Sequence, residues 1–164
     1  MYFHGLESLG VQVTRVATSD DGIEFSAHPE VLGRPYFRVF RHNGWFYALV
    51  MPGQVLRSRD GFTGFEGGPN VFEPNVRHSA VALTNDTLEV FWTRVGDAPE
   101  SILRSTIDVT ADWSDWRASP GELVLSPERS WEGAGEPLEP SRRSAVHGLV
   151  NQLRDPAVFV EGER

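Results

Sequence analysis

The feature that most constrains the fold of this chain is a turn signature that recurs between short apolar segments. The pattern Ser-x-Asp-Gly, followed by an aromatic residue, occurs at residues 19–25 and again at residues 58–65. A third, looser version begins at Ser105 and ends in Trp113 and Trp116. Glycine adopts a positive φ at little steric cost, so Asp-Gly between extended segments predicts a tight hairpin turn. A hairpin signal with a period of roughly forty residues predicts an array of small antiparallel sheets.

The segments between the turns have the length and apolar content of β-strands, and they recur in the same order. We predict strands at residues 1–6, 11–18, 27–33, 35–41, 45–51, 54–58, 68–72, 77–83, 87–94, 101–108, 120–125 and 154–160. The strand at residues 45–51 alternates between two faces that are both apolar, which predicts that it is covered on both sides. No segment is a convincing helix, so the predicted fold class is all-β.

The order of strands and turns predicts a β-propeller of four-stranded antiparallel blades. Numbered within a unit, the strands run second to fourth, then through two full units, and end with a lone first strand. The prediction is a single domain over residues 1–164, with blade boundaries near 34/35, 76/77 and 153/154 and a long loop at residues 126–152. Sheets that are apolar on both faces pack around an axis in propellers. The alternative is a β-sandwich, which also has short, regularly spaced strands.

The three units found are fewer than the roughly four to eight blades of a closed propeller. We therefore expect a partial ring that belongs to a longer protein. The other interpretation is that the last strand pairs with the first three, as happens when a complete propeller closes. A partial ring would expose sheet faces meant for other blades, so we also expect a tendency to self-associate.

Composition excludes several classes of function. The net charge of −8 argues against a nucleic-acid partner, since phosphate binding needs clustered Lys and Arg. The absence of Cys excludes disulfides and thiolate metal sites, and the five His residues lack the paired spacing of metal ligands. No phosphate-binding glycine motif occurs, so no cofactor is expected. No membrane span or signal peptide is recognisable, which favours a soluble protein of the cytoplasm.

Candidate site residues cluster near the starts of the predicted innermost strands. In a propeller these strands line the central channel, and equivalent positions on neighbouring blades face the same end of it. The residues expected near one common mouth, with Arg38 deeper in the channel, are Tyr36, Arg77, His78, Arg154 and Asp155. They could form a ligand pocket there. They could equally be the polar wall that any water-filled channel needs.

The segment Arg154-Asp155-Pro156 at the start of an innermost strand carries a resemblance to a known family. Together with the Ser-x-Asp-Gly hairpins and the strands apolar on both faces, it resembles the five-bladed propeller glycosidases of the arabinanase and β-xylosidase type. These are glycoside hydrolase family forty-three and its levansucrase and invertase relatives. The resemblance covers the whole chain as an architecture. It implies a carbohydrate ligand in the channel and a catalytic or transition-state-stabilising role for Asp155.

Glycoside hydrolysis needs a second carboxyl group, which acts as the acid. The candidate is Glu132 on the long loop, with Glu136 behind it, and Trp131 could stack on the face of a sugar. The alternative is that Trp131 packs under its own loop and Glu132 is solvated. The other channel positions hold Tyr36 and His78 rather than carboxylates, which departs from the family pattern. A non-catalytic carbohydrate-binding or scaffold propeller is therefore the alternative function.

Overall fold

The computed structural model describes residues 1–159 and 161, and these residues form an all-β structure of three antiparallel sheets. The first sheet contains β1 (Tyr2–Ser8), β2 (Val11–Thr18) and β3 (Ser26–Ala27). The second contains β4 (Arg38–His42), β5 (Trp45–Val50), β6 (Gln54–Ser58) and β7 (Glu66–Asn70). The third contains β8 (Val76–Thr84), β9 (Thr87–Arg94), β10 (Ile102–Asp108) and β11 (Glu122–Leu125). Two short 3-10 helices lie at Trp113–Asp115 and Ser130–Glu132.

Within each sheet, every strand pairs with the strand that precedes or follows it in the chain. The described residues thus form three strands, then four, then four, and the all-β prediction is confirmed. The chain passes to the second sheet between Ala27 and Arg38 and to the third between Asn70 and Val76. The three described sheets do not close into a ring, so the propeller remains a prediction.

Strand β5 is covered on both faces, as its alternating sequence predicts. Tyr47 and Leu49 point into a core shared by the second and third sheets. Ala48 and Val50, on the opposite face, point into a core shared by the first and second sheets. The second sheet therefore lies between the other two, and each of its faces buries apolar area against a neighbour.

The strands β6 and β7 form a hairpin at the second Ser-x-Asp-Gly copy, but the connection is longer than the tight turn predicted. It runs over residues 59–65, and two side chains hold it. The Ser58 Oγ accepts a hydrogen bond from the Gly61 N–H at 3.2 Å. The Asp60 Oδ1 accepts from the N–H groups of Phe62 and Thr63, each at 2.8 Å. The motif is a side-chain-capped loop, because its Ser and Asp replace the strand-to-strand bonds of a two-residue turn.

The first copy of the motif has the same loop geometry, but its aromatic side chain is not packed in the same way. The Gly22 N–H donates to the Ser19 Oγ at 2.8 Å, as in the second copy. The aromatic side chain of the second copy, Phe65, packs against Phe37 with ring centroids 5.2 Å apart. The corresponding Phe25 is 43% exposed, so the predicted aromatic anchor forms in one copy and not in the other.

Most predicted strands agree with the observed ones to within one or two residues at their ends, and three differ more. In place of the strand predicted at residues 27–33, the structure has the two-residue strand Ser26–Ala27 and an isolated bridge between Gly33 and Thr14. Strand β4 begins at Arg38 instead of residue 35, because Tyr36 has a φ of 66°, outside the extended region. The segment 154–159 forms no strand, and Asp155 has a φ of 53°. Val160, the last residue predicted for that strand, lies outside the described residues.

None of the helices in the described residues has the length and apolar character needed to cross a membrane.

Candidate functional site

A cavity of about 830 Å³ lies where the three sheets and the C-terminal segment meet. The residues predicted to share a channel mouth all line it, namely Tyr36, Arg77, His78, Arg154 and Asp155. Other walls come from residues 10–12 and 143–145. The structure therefore brings these five residues together, while the roles assigned to them remain predictions.

A β-bulge positions two of the five residues. The ladder between β8 and β9 pairs Val76 with Arg94 and then Ser79 with Trp92, so its register shifts by one residue. Arg77 and His78 are the residues that this shift leaves outside the regular pairing. A bulge bends its strand and redirects side chains that would otherwise alternate between the two faces. This explains how two consecutive residues of one strand line the same cavity.

Backbone strain is concentrated around this cavity. The described non-glycine residues with a positive φ are Tyr36, Asn43, Asn85, Ser144 and Asp155. The two asparagines lie in β-hairpin turns, where this conformation is common. The other three all line the cavity. Such conformations cost on the order of 1–3 kcal/mol each and cluster at sites that use them.

A short row of rings leads to the carboxylate of Asp155. The Tyr36 ring lies between His4 and His78, with centroid distances of 4.4 Å and 4.8 Å. The His78 Nδ1 is 3.2 Å from the Asp155 Oδ1, although the two groups lack the alignment of a hydrogen bond. The His78 side chain is 8% exposed and that of Asp155 is 62% exposed. The site thus presents an open carboxylate supported by a buried imidazole.

Burial sets the protonation state of these groups. Desolvation lowers the pKa of His78, and although the Asp155 carboxylate opposes this effect, Arg77 adds to it. Burial also raises the pKa of Tyr36, and the Asp155 charge acts in the same direction. At neutral pH the site therefore offers a neutral imidazole and a phenol that both donate and accept hydrogen bonds.

Beneath the cavity lies a charged cluster built on Glu100, which is fully buried. Its Oε2 is 3.3 Å from the Arg77 Nη1 and 3.1 Å from the Arg154 Nε. Both guanidinium groups also donate to the Ser144 carbonyl oxygen, each at 3.3 Å. The Leu153 N–H donates to the Glu100 carbonyl oxygen at 2.8 Å. Glu100 therefore ties the segment that carries Arg154 and Asp155 to the start of β10.

Sequence reasoning missed Glu100, Arg143 and Ser144. Glu100 follows Pro99 in a polar turn, and nothing in its sequence neighbourhood marks it as buried. Arg143 and Ser144 lie in the long loop, which the sequence leaves without a recognisable period. The local signal there was weak, since the adjacent pair Arg142-Arg143 lies in a loop that also carries four glutamates.

Arg38 lies near the cavity without lining it. Its Nε donates to the Ser79 carbonyl oxygen, and its guanidinium is 5.9 Å from the centroid of the Tyr36 ring. It faces a separate hollow between β4, β8 and the segment 156–158. The expectation that it lies deeper in a channel shared with the other five residues stays a prediction.

Glu132 and Trp131 do not line the cavity in the described part of the chain. The Glu132 Oε2 accepts from the backbone N–H groups of Glu128 and Arg129 at 2.8 Å and 2.9 Å, which lowers the pKa of Glu132. A general acid needs a raised pKa, so this geometry does not support that role. The Trp131 side chain is 81% exposed instead of tucked under its loop, and Glu136 lines a different cleft.

Comparison with known proteins identifies a relative of viral origin. The chain is 35% identical over 181 aligned positions to an uncharacterized protein of Acanthamoeba polyphaga mimivirus. The alignment covers 98% of this chain and 51% of the viral protein, so the chain spans about half the length of the relative it matches. No protein-family profile matches the chain. No solved structure matches it either.

Proposed function

We propose that the three sheets are consecutive blades of a β-propeller. The second sheet is packed on both faces by separate sheets, whereas a two-sheet sandwich would leave one face of each sheet open. The first strands of the second and third sheets, β4 and β8, lie side by side, and Arg38 bonds across them to Ser79. The segment 156–158 lies beside both. The viral relative is about twice as long as this chain, which leaves room for further blades.

We propose further that the cavity binds a saccharide. The observation that carries this proposal is the exposed Asp155 carboxylate, held on a strained backbone beside the buried His78 and the half-buried Tyr36. A sugar presents neighbouring hydroxyl groups that both donate and accept hydrogen bonds. Planar groups such as a carboxylate, an imidazole and a guanidinium can contact two hydroxyls at once, and a pre-formed cavity reduces the cost of ordering them.

Hydrolysis of a glycoside by the complete protein is the second candidate function. The open carboxylate of Asp155 favours it, because an ionised carboxylate is one half of a glycosidase pair. Asp155 is the only carboxylate among the described residues that line the cavity. A second carboxyl group would have to come from another part of the full-length protein, so binding is the function that this chain supports best.

The proposal is tested with a panel of neutral and acidic mono- and oligosaccharides, using saturation-transfer NMR to detect binding and titration to measure Kd. Loss of a charge-assisted hydrogen bond in Asp155→Asn should weaken binding about tenfold or more. Asp20→Asn is the matched control, since Asp20 is exposed on the loop after β2, away from the cavity. The proposal is wrong if no sugar binds, or if Asp155→Asn and Asp20→Asn bind equally well. Turnover of aryl glycosides that depends on Asp155 would favour the second candidate.

A further inference from the structure

The charges around the cavity do not balance. Arg77, Arg143 and Arg154 contribute three positive charges, while Asp155 and the underlying Glu100 contribute two negative ones. His78 adds none at neutral pH, because burial lowers its pKa. The site therefore carries a surplus of one positive charge in a chain whose net charge is −8.

Two of the three guanidinium groups lie inside the protein rather than on its surface. Arg77 and Arg154 share one oxygen of Glu100, and their side chains are only 6% and 17% exposed. Two guanidinium groups on one buried carboxylate leave a desolvated positive charge without its own anion. Desolvated charge is costly unless a counter-charge lies close by, and at low dielectric its attraction for an incoming anion is strong.

Arg143 is the guanidinium best placed to meet a ligand. It is exposed, lines the cavity, and donates through Nη2 to the Pro74 carbonyl oxygen at 3.1 Å. Within the described residues it forms no ion pair with a carboxylate, unlike Arg77 and Arg154. A guanidinium has five N–H donors in a planar fork that matches a carboxylate, so Arg143 keeps donors for one.

We propose that the saccharide carries a single carboxylate, as in a uronate, and that Arg143 binds this group while Asp155 and His78 contact hydroxyls. The inference rests on the proposed saccharide site and narrows its ligand class. A monoanion matches the surplus of one charge. A sugar phosphate, with close to two negative charges at neutral pH, would exceed that surplus and would repel Asp155 more strongly than a monoanion does.

The test compares methyl glycosides of glucuronate and galacturonate with their methyl esters, which have nearly the same shape and no charge. The wild-type protein should bind at least one acid about tenfold more tightly than its ester, the difference expected for one charge-assisted bond. Arg143→Gln should bring the acid to the affinity of the ester and leave the ester unchanged. Arg142→Gln is the matched control, since the adjacent Arg142 lines a different cleft.

Each outcome distinguishes this inference from the saccharide site itself. Equal affinity for acid and ester overturns the inference but leaves the saccharide proposal standing if the ester requires Asp155. A preference that persists in Arg143→Gln overturns the assignment to Arg143. Tighter binding of glucose 6-phosphate than of either uronate overturns the choice of a monoanion. Failure of all uronates, esters and neutral sugars to bind overturns the saccharide site and this inference together.

Discussion

At the scale of single residues, Glu100 and Glu132 show two opposite uses of an acidic side chain. Glu132 accepts hydrogen bonds from backbone groups three and four residues earlier, so its contacts are local. Glu100 pairs with Arg77, 23 residues earlier, and with Arg154, near the end of the described chain. The local carboxylate shapes a turn, whereas the buried one holds distant segments together around a cavity.

Replacing Glu100 should therefore destabilise the protein strongly. In Glu100→Gln the two guanidinium groups lose their shared anion, and breaking a buried pair from one side typically costs about 3–5 kcal/mol. Glu89→Gln is the comparison, because the pair of Glu89 with Arg104 is partly exposed and worth about 0–1 kcal/mol. Urea unfolding of both variants gives the two losses. Similar losses would show that the buried cluster is not a stabilising hub.

At the scale of elements, the Ser-x-Asp-Gly loops show how one motif closes a hairpin with side chains. Asp60 accepts hydrogen bonds from two backbone N–H groups and from the Thr63 hydroxyl. These bonds favour the ionised form and hold the pKa of Asp60 well below its usual range. In the first copy, Asp21 accepts hydrogen bonds from the equivalent N–H groups of Ile23 and Glu24, and these bonds lower the pKa of Asp21.

This shift predicts how the stability depends on pH. Because the pKa of Asp60 is lower in the folded state, its contribution is complete above its unfolded pKa of about 3.9 and is lost as pH falls through the folded value. Asp60→Asn should lower the unfolding midpoint at pH 7 and reduce the further loss on acidification below about pH 4. Thermal melts from pH 7 to pH 2 measure both effects. Asp20→Asn, on the exposed loop of the first copy, should leave the loss of stability below about pH 4 as in the wild type.

At the scale of the whole molecule, the stack of sheets has open ends. The second sheet is covered on both faces, but β11 at the edge of the third sheet exposes Leu123, Val124 and Leu125. An apolar edge strand with unpaired backbone groups is a template for association with another strand. In the proposed propeller, β11 is the outermost strand of its blade, so this edge faces away from the axis.

We therefore predict that this chain self-associates through β11. Analytical ultracentrifugation should show a weight-average mass that rises with protein concentration. Leu123→Lys should suppress that rise, since a lysine on an edge strand blocks pairing. Leu138→Lys is the matched control, because Leu138 in the long loop is 63% exposed against 65% for Leu123. A mass that stays constant with concentration, or equal behaviour of the two variants, would contradict the prediction.

Much of the site could be located from the sequence, because its residues occupy equivalent positions in repeated units. Tyr36, His78 and Asp155 lie near the starts of the predicted innermost strands, which predicts one common mouth, and the structure brings them to one cavity. The repeat could not place Glu132, whose position depends on a loop outside the repeated pattern. It also could not reveal that Asp155 precedes no described strand, since its φ of 53° departs from the pattern.

The sequence by itself determined most of the strands, their order and the strand covered on both faces. Alternation and turn chemistry act between residues that are close in the chain, so these features are written in the local pattern. Only the tertiary structure decided the cavity: the bulge at Arg77 and His78, the strained backbone at Ser144, and the burial of Glu100 between two arginines. Those features arise from contacts between distant segments, and a period of two residues along a strand carries no information about them.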